Sequence, residues 1–186
     1  NLTNVNSTLT HVANLKNGAD ISANGNLSTV DSFNLETGAD VTMTKAQHDL
    51  LTAGTAGVGT NKITMSGAAS FNAEQTIETY QLDDTPNSIT LSSNSHTVIG
   101  GSGVDSIIVG TGGGTVTGGT GLDQLTAGGG IDTFKFSAGD AFTNVNGASS
   151  FETITNFATA TDKIDVVGAS VSALTTFNGE NLVSNK

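Results

Sequence analysis

Three aspartates, Asp105, Asp123 and Asp132, sit where this chain could do chemistry. They belong to a stretch, Gly100 to Lys135, that divides into the nonapeptides GGSGVDSII, VGTGGGTVT, GGTGLDQLT and AGGGIDTFK. The first and third read G-G-x-G-x-D-x-U-x, with U a large apolar residue, and the other two keep the apolar eighth position. The glycine-rich half of each unit must turn tightly, which a residue without a Cβ permits. The x-U-x half is a very short strand with one side chain directed inward. Two units make one flattened coil, so loops nine residues apart fall on opposite edges and loops eighteen apart stack on the same edge. Stacked strands lie roughly 4.8 Å apart, which brings Asp105 and Asp123 together. Two carboxylates so placed repel one another. A calcium ion between them reverses the sign of that interaction and draws its remaining oxygen ligands from turn carbonyls. The expectation is one well-formed calcium site between the loops Gly100–Asp105 and Gly118–Asp123. Asp132, on the other edge, stacks over Gly114, which carries no carboxylate, so a second site there is half-built.

The elements that must hold these loops are legible as an apolar ladder. Tyr80, Ile89, Val98, Ile107, Val116, Leu125 and Phe134 recur every nine residues without a miss. A flexible glycine-rich linker has no reason to keep such a ladder. The ladder begins before the first glycine-rich loop, so the coils are expected to start upstream, without metal. There LKNGADIS (Leu15–Ser22) and LETGADVT (Leu35–Thr42) share L-x-x-G-A-D-[IV] at a spacing of twenty, which suits coils of a parallel β-helix with G-A-D at the corner. A weaker third copy, Thr76–Ser92 set against Thr29–Thr44, aligns Phe33 with Tyr80 and Leu35 with Leu82. Thr44 to Leu51, TKAQHDLL, predicts a short helix with Thr44 as N-cap and Gly54 as its stop. Ala53–Thr60 reads as a loop, and Lys62–Ser66 and Glu74–Leu82 as strands. The fold class is all-β: a parallel β-helix or β-roll solenoid with a C-terminal capping segment and at most one short helix. It divides into N-terminal coils (1–79), a β-roll (80–135) and a cap (136–186).

The nonapeptides, followed by D-T-F-K-F and later I-T-N-F-x₄-D-K-I-D-V, resemble the calcium-binding repeats and closing strands of RTX proteins. The resemblance covers about residues 100–167. It implies that carbonyls of Gly100, Ser102, Gly119 and Gly121 complete the site of Asp105 and Asp123. It also implies type I secretion and folding coupled to calcium outside the cell. Phe134, Phe136, Phe151 and Phe157 are expected to cover the open end of the ladder, as terminal repeats must. Asp140, Asp162 and Asp165 are expected to be solvated turn residues.

Composition narrows the function classes. Seventeen acidic residues, six lysines and no arginine give a net charge of −11. Such a surface repels nucleic acid and anionic membranes and attracts divalent cations. No basic patch supports nucleic-acid binding. Cysteine is absent, so disulfide stapling is excluded and metal and stacking must supply rigidity. No apolar run approaches a membrane span and no signal peptide heads the chain. The chain starts on Asn rather than Met and is expected to be a piece of a longer protein. The histidines, His11, His48 and His96, match no zinc motif, and no nucleophile elbow or P-loop is present. Asp83 and Asp84 are adjacent and would face opposite sides of a strand, which rules them out as a glycosidase pair. Threonine forms no regular ladder of the ice-binding kind. The expectation is therefore an extracellular, non-enzymatic structural protein of a bacterial surface layer, filament or adhesin that polymerises with copies of itself. Its alternative is the secretion module of an enzyme, a protease or lipase, whose catalytic part lies elsewhere. A cell-surface glycan is the remaining candidate partner.

Overall fold

The computed structural model describes residues 11–24, 30–51, 60–137, 140, 142–145 and 148–167. The chain winds as a parallel β-solenoid. The upstream elements are β1 (Val12–Leu15), β2 (Ala19–Asp20), β3 (Ser32–Leu35), β4 (Asp40–Met43), the helix α1 (Lys45–His48) and β5 (Lys62–Met65). Then come β6 (Ser70–Asn72), β7 (Thr79–Gln81), β8 (Ser88–Thr90), β9 (His96–Ile99), β10 (Ser106–Ile108), β11 (Gly114–Thr117), β12 (Gln124–Thr126) and β13 (Asp132–Ser137). A hairpin, β14 (Phe142–Val145) with β15 (Ala148–Phe151), precedes the closing strands β16 (Thr153–Thr155) and β17 (Lys163–Val167).

From β5 to β13 successive strands alternate between two walls. One is an eight-stranded sheet in the order β17-β13-β11-β9-β7-β5-β4-β2, and the other a five-stranded sheet in the order β16-β12-β10-β8-β6. Every pairing within them is parallel. Strands β1 and β3 pair separately, and Leu51 continues that pair by bridging to Phe33.

The nine-residue ladder is the spine of the roll. Tyr80, Val98, Val116 and Phe134 stack in register on the first wall, and Ile89, Ile107 and Leu125 on the second. All seven are at most 1% exposed, as alternating in-out strands of three residues require. Ile63 and Val41 extend the first stack upstream, Phe71 extends the second, and Ile164 and Ile154 extend both beyond Phe134 and Leu125. A single apolar cluster therefore runs from Leu15 to Phe136.

Several finer expectations need correction. The twenty-residue repeat holds for Leu15 against Leu35, but across the corner Ala19 pairs with Val41, not with its sequence mate Ala39. Gly18 and Gly38 make the corners at positive φ, while Ala19 and Asp20 already belong to β2. The third copy is not structural: Phe33 lies beside Ala13 on β3, whereas Tyr80 lies on the eight-stranded wall between Ile63 and Val98. The strand expected over Glu74–Leu82 is confined to Thr79–Gln81, because Gln75 and Thr76 turn. The helix forms where expected. Gln47 caps its N-terminus, its side-chain Oε1 accepting the Thr44 N–H at 2.7 Å. The helix ends at His48, with Asp49 as its C-cap and Leu51 already bridged to Phe33, short of the expected run to Leu51 and stop at Gly54; the 53–59 part of the loop, the Phe151 side chain and residues 168–186 fall outside the described residues. Phe134 and Phe136 are buried, and the Phe157 ring packs 6.2 Å from that of Phe134.

Candidate metal centre

At the head of several strands the backbone amide bonds to a side chain rather than into the sheet ladder. A buried amide needs an acceptor, and the side chain one coil on supplies it. On one edge Ala69 N–H donates to Asn87 Oδ1 (2.9 Å), Asn87 N–H to Asp105 Oδ1 (2.8 Å) and Asp105 N–H to Asp123 Oδ1 (2.8 Å). On the other, Ala39 N–H donates to Asn61 Oδ1 (3.0 Å), Asn61 N–H to Glu78 Oε2 (2.7 Å) and Asp132 N–H to Asp162 Oδ1 (3.1 Å). Asp105 and Asp123 are thus brought together as the eighteen-residue spacing requires, and Asp132 stacks on Gly114.

Asparagine and aspartate do this job differently. Asn87 also donates its Nδ2 to Thr85 O (2.5 Å) and Asp83 Oδ1 (3.1 Å), so both ends of its amide are satisfied. A carboxylate has nothing to donate and brings a charge. Asp105 Oδ2 accepts only a long bond from Gly101 N–H (3.4 Å), and Asp123 Oδ2 is buried with no donor. Asp105 and Asp123 are each 1% exposed and Asp132 is fully buried. Burial holds all three carboxyls above the usual carboxylate range. Backbone amides oppose that rise, as do side-chain hydrogen bonds with Asn87 at Asp105 and with Glu152 at Asp123, while Asp123 adds repulsion to Asp105, Asp140 to Asp123 and Asp162 to Asp132. The ion pairs among the described residues join His11 to Asp31, Lys45 to Asp49 and Lys62 to Asp40, and none reaches these groups. A buried, unpaired carboxylate is costly; a cation in the turns removes that cost, so the residues fit calcium.

Among the described residues no group of three or more His, Cys, Asp or Glu side chains is placed to hold a metal ion, so a cation here would need backbone carbonyls and water for most of its ligands. The turns pack closely enough to present carbonyls. A Cβ on Gly100 would lie 1.8 Å from Gly118 O, one on Gly119 2.1 Å from Gly101 O and one on Gly121 2.1 Å from Gly103 O. Ser102 is on the exposed rim, its N–H donating to Asp84 Oδ1 (3.1 Å).

Acids that sequence reasoning left out of the site join these edges. Asp162 is 9% exposed and caps Asp132, and Asp140 is 8% exposed; neither is a solvated turn residue, whereas Asp165 on β17 is exposed. Asp132 therefore does have a stacked carboxylate, on the far side from Gly114. Glu152 directly precedes β16, which pairs Thr153 with Gln124, so it stands one coil beyond Asp123. The hairpin β14–β15 breaks the nine-residue count and hides Asp162 and Glu152. A usable signal remained: E-T-I-T (Glu152–Thr155) and D-K-I-D (Asp162–Asp165) repeat the D-x-U-x part of the nonapeptide.

Upstream, the buried polar groups form a neutral set. The Tyr80 hydroxyl accepts from Glu74 N–H (2.8 Å) and donates to His48 Nε2 (3.0 Å). Burial pushes the His48 imidazole down to about 4. His96 donates from Nδ1 to Ile77 O (2.7 Å), which leaves Nε2 to accept from the Ser92 hydroxyl (2.6 Å). Among the described residues no helix is long and apolar enough to cross a membrane. No family model, curated protein or solved structure matches the chain.

Proposed function

We propose that this chain is a calcium-stiffened structural solenoid of a bacterial exterior, secreted and joined to copies of itself in a surface layer, filament or adhesin. The observation that carries the reading is the buried stack of Asp105 on Asp123, with no basic side chain among the described residues to neutralise it. Asp105 and Asp123 would hold the ion together with carbonyls of Gly100, Ser102, Gly119 and Gly121, and Asp132 would serve the opposite edge. The ion supplies positive charge between coils that otherwise repel. Where calcium is scarce the acidic turns stay loose. Outside the cell, millimolar calcium exceeds the Kd of about 10⁻⁴–10⁻³ M typical of extracellular modules, and binding stabilises the fold by mass action. The RTX-like nonapeptides support this reading, and so does a parallel stack whose end strands β16 and β17 have no further strand partner among the described residues, an arrangement open to head-to-tail joining. The role is non-enzymatic, with a cell-surface glycan as a further partner and no nucleic acid or membrane insertion.

Negative-stain electron microscopy and light scattering, with millimolar calcium and with chelator, test the proposal. Calcium-dependent growth of sheets or filaments is expected. A protein that takes up calcium yet stays monomeric at every concentration would sink the assembly role and favour a folding module attached to a secreted enzyme.

A further inference from the structure

We infer that the outward face of the five-stranded wall is a lateral contact with the same face of a second copy of this chain. The inference rests on the self-assembly reading and names the surface that joins stacked copies side by side. Each strand of that wall turns its middle residue inward and the two flanking residues outward. None of the ten outward residues is charged; nine are Ser, Thr, Asn or Gln and the tenth is Ile108. The other wall differs, turning Asp40, Lys62, Lys135, Lys163 and Asp165 outward. In a chain of net charge −11, copies repel wherever their acids face one another. At the five-stranded wall two copies meet without bringing like charges together.

The placement of Ile108 favours a copy as the occupant. It lies on β10, the third strand of the five, and is 40% exposed. Val104, in the turn that enters β10, is 51% exposed. The large aliphatic side chains exposed on this side thus belong to the central coil and have a polar surround, the layout of an interface core and rim. A two-fold axis parallel to β10 and midway between two walls runs the solenoids antiparallel and sets Ile108 against Ile108 of the partner. Short Ser and Thr side chains let the sheets approach to the roughly 10 Å of face-packed sheets. No outward residue of the wall is aromatic, so a sugar finds no ring to stack on. Five strands at roughly 4.8 Å, with three residues at roughly 3.3 Å each, span a face of about 240 Å². A stable pair needs about 800 Å² per partner. One pair of walls therefore does not hold a dimer, whereas the same contact repeated along stacked copies adds up. Lateral joining then follows head-to-tail stacking and turns filaments into sheets.

Electron microscopy and cysteine cross-linking of the full chain in millimolar calcium test this. Ile108→Lys should give single filaments where the wild type gives sheets. It should keep the wild-type rise in melting temperature with calcium, because the side chain is exposed. Thr90→Lys, exposed on the neighbouring strand, should act in the same way. The chain has no cysteine, so Ile108→Cys carries its only thiol. Under oxidising conditions that variant should form disulfide-linked dimers within the sheets, while Thr115→Cys, outward on the other wall, should form none. Sheets of unchanged spacing in both lysine variants, or no dimer from Ile108→Cys, overturn the lateral contact and leave head-to-tail stacking standing. Wild-type filaments that never widen into sheets do the same. A wild type that forms neither filaments nor sheets sinks the assembly reading and the contact with it. Retention on neutral polysaccharide beads that Ile108→Lys loses, with no dimer from Ile108→Cys, assigns the wall to a glycan and overturns the second copy.

Discussion

Asn61 and Asn87 on the upstream coils, and Asp105, Asp123 and Asp132 on the downstream ones, occupy one and the same place, the residue that opens a strand. The asparagines accept an amide from the preceding coil and donate their own amide protons, Asn87 to Thr85 O within its turn and Asn61 to Thr76 O, so they fill the place without adding a charge, although the half-buried Glu78 takes the Asn61 amide. The aspartates accept as well but leave a buried charge, and in Asp123 an oxygen with no donor. Shape is shared between the two regions; electrostatics is not. The roll therefore carries buried carboxylates that no basic side chain among the described residues neutralises, whereas the upstream asparagines bring no charge. The glycine content follows the same line: stacked turns with Cβ atoms would have no room for turn carbonyls, as Gly100 and Gly119 show.

The contrast can be broken most severely at the acids. Asp105→Ala with Asp123→Ala should abolish the calcium-dependent rise in melting temperature. It also strips the acceptors from the Asn87 and Asp105 amides, at about 1–3 kcal/mol for each buried donor left unpaired. The paired Asn variants keep those acceptors. They should lose the calcium response while melting higher than the wild type in chelator. Scanning calorimetry of both double variants, with and without calcium, separates the two outcomes; a retained calcium response in either would remove the site assignment.

A second test uses pH. His48 has a folded pKa near 4 against about 6.5 unfolded, so between those values the unfolded chain takes up a proton that the native chain refuses. Stability should fall as pH drops through that window, by on the order of 2–3 kcal/mol. The buried aspartates act in the opposite sense when metal is absent. Their raised pKa values give stability that is present in acid and lost as pH rises through the folded value. Urea midpoints from pH 7 to 4 should therefore slope downward toward acid in excess calcium and flatten in chelator. His48→Gln keeps an acceptor for Tyr80 and should remove most of the slope in calcium; an unaltered slope would show that His48 does not govern it.

The smallest effect sharpens the boundary between the regions. Asn87→Asp extends the charged stack by one rung and deprives Thr85 O of its donor. It should lower metal-free stability by about 1–2 kcal/mol, with part of the loss recovered in calcium. Equal loss with and without calcium would place Asn87 outside the metal's reach.

How far the chain could be read in advance differs between its parts. Where the repeat is unbroken, from Tyr80 to Phe134, a count of nine located the seven residues of the ladder, the pairing of strands eighteen apart and the meeting of Asp105 with Asp123, but not the second buried row of Leu82, Leu91, Val109 and Ala127. Before it, the match of Phe33 with Tyr80 failed because similar apolar order recurs on both walls of a coil, and only strand pairing tells the walls apart. After it, Asp162 and Glu152 were missed because the hairpin interrupts the count.

The amino-acid order by itself determined the local unit: tight glycine turns, three-residue strands, one inward side chain and an acid at the strand's head, all of which depend on near neighbours and backbone sterics. Which units stack was decided only by the tertiary structure, above all the return of β16 and β17 onto β12 and β13 after the insertion. Hydrogen-bond pairing between coils depends on proximity in space, and a stretch of any length can separate two residues that meet there. That is why the acids closing both edges became visible only once the chain was wound.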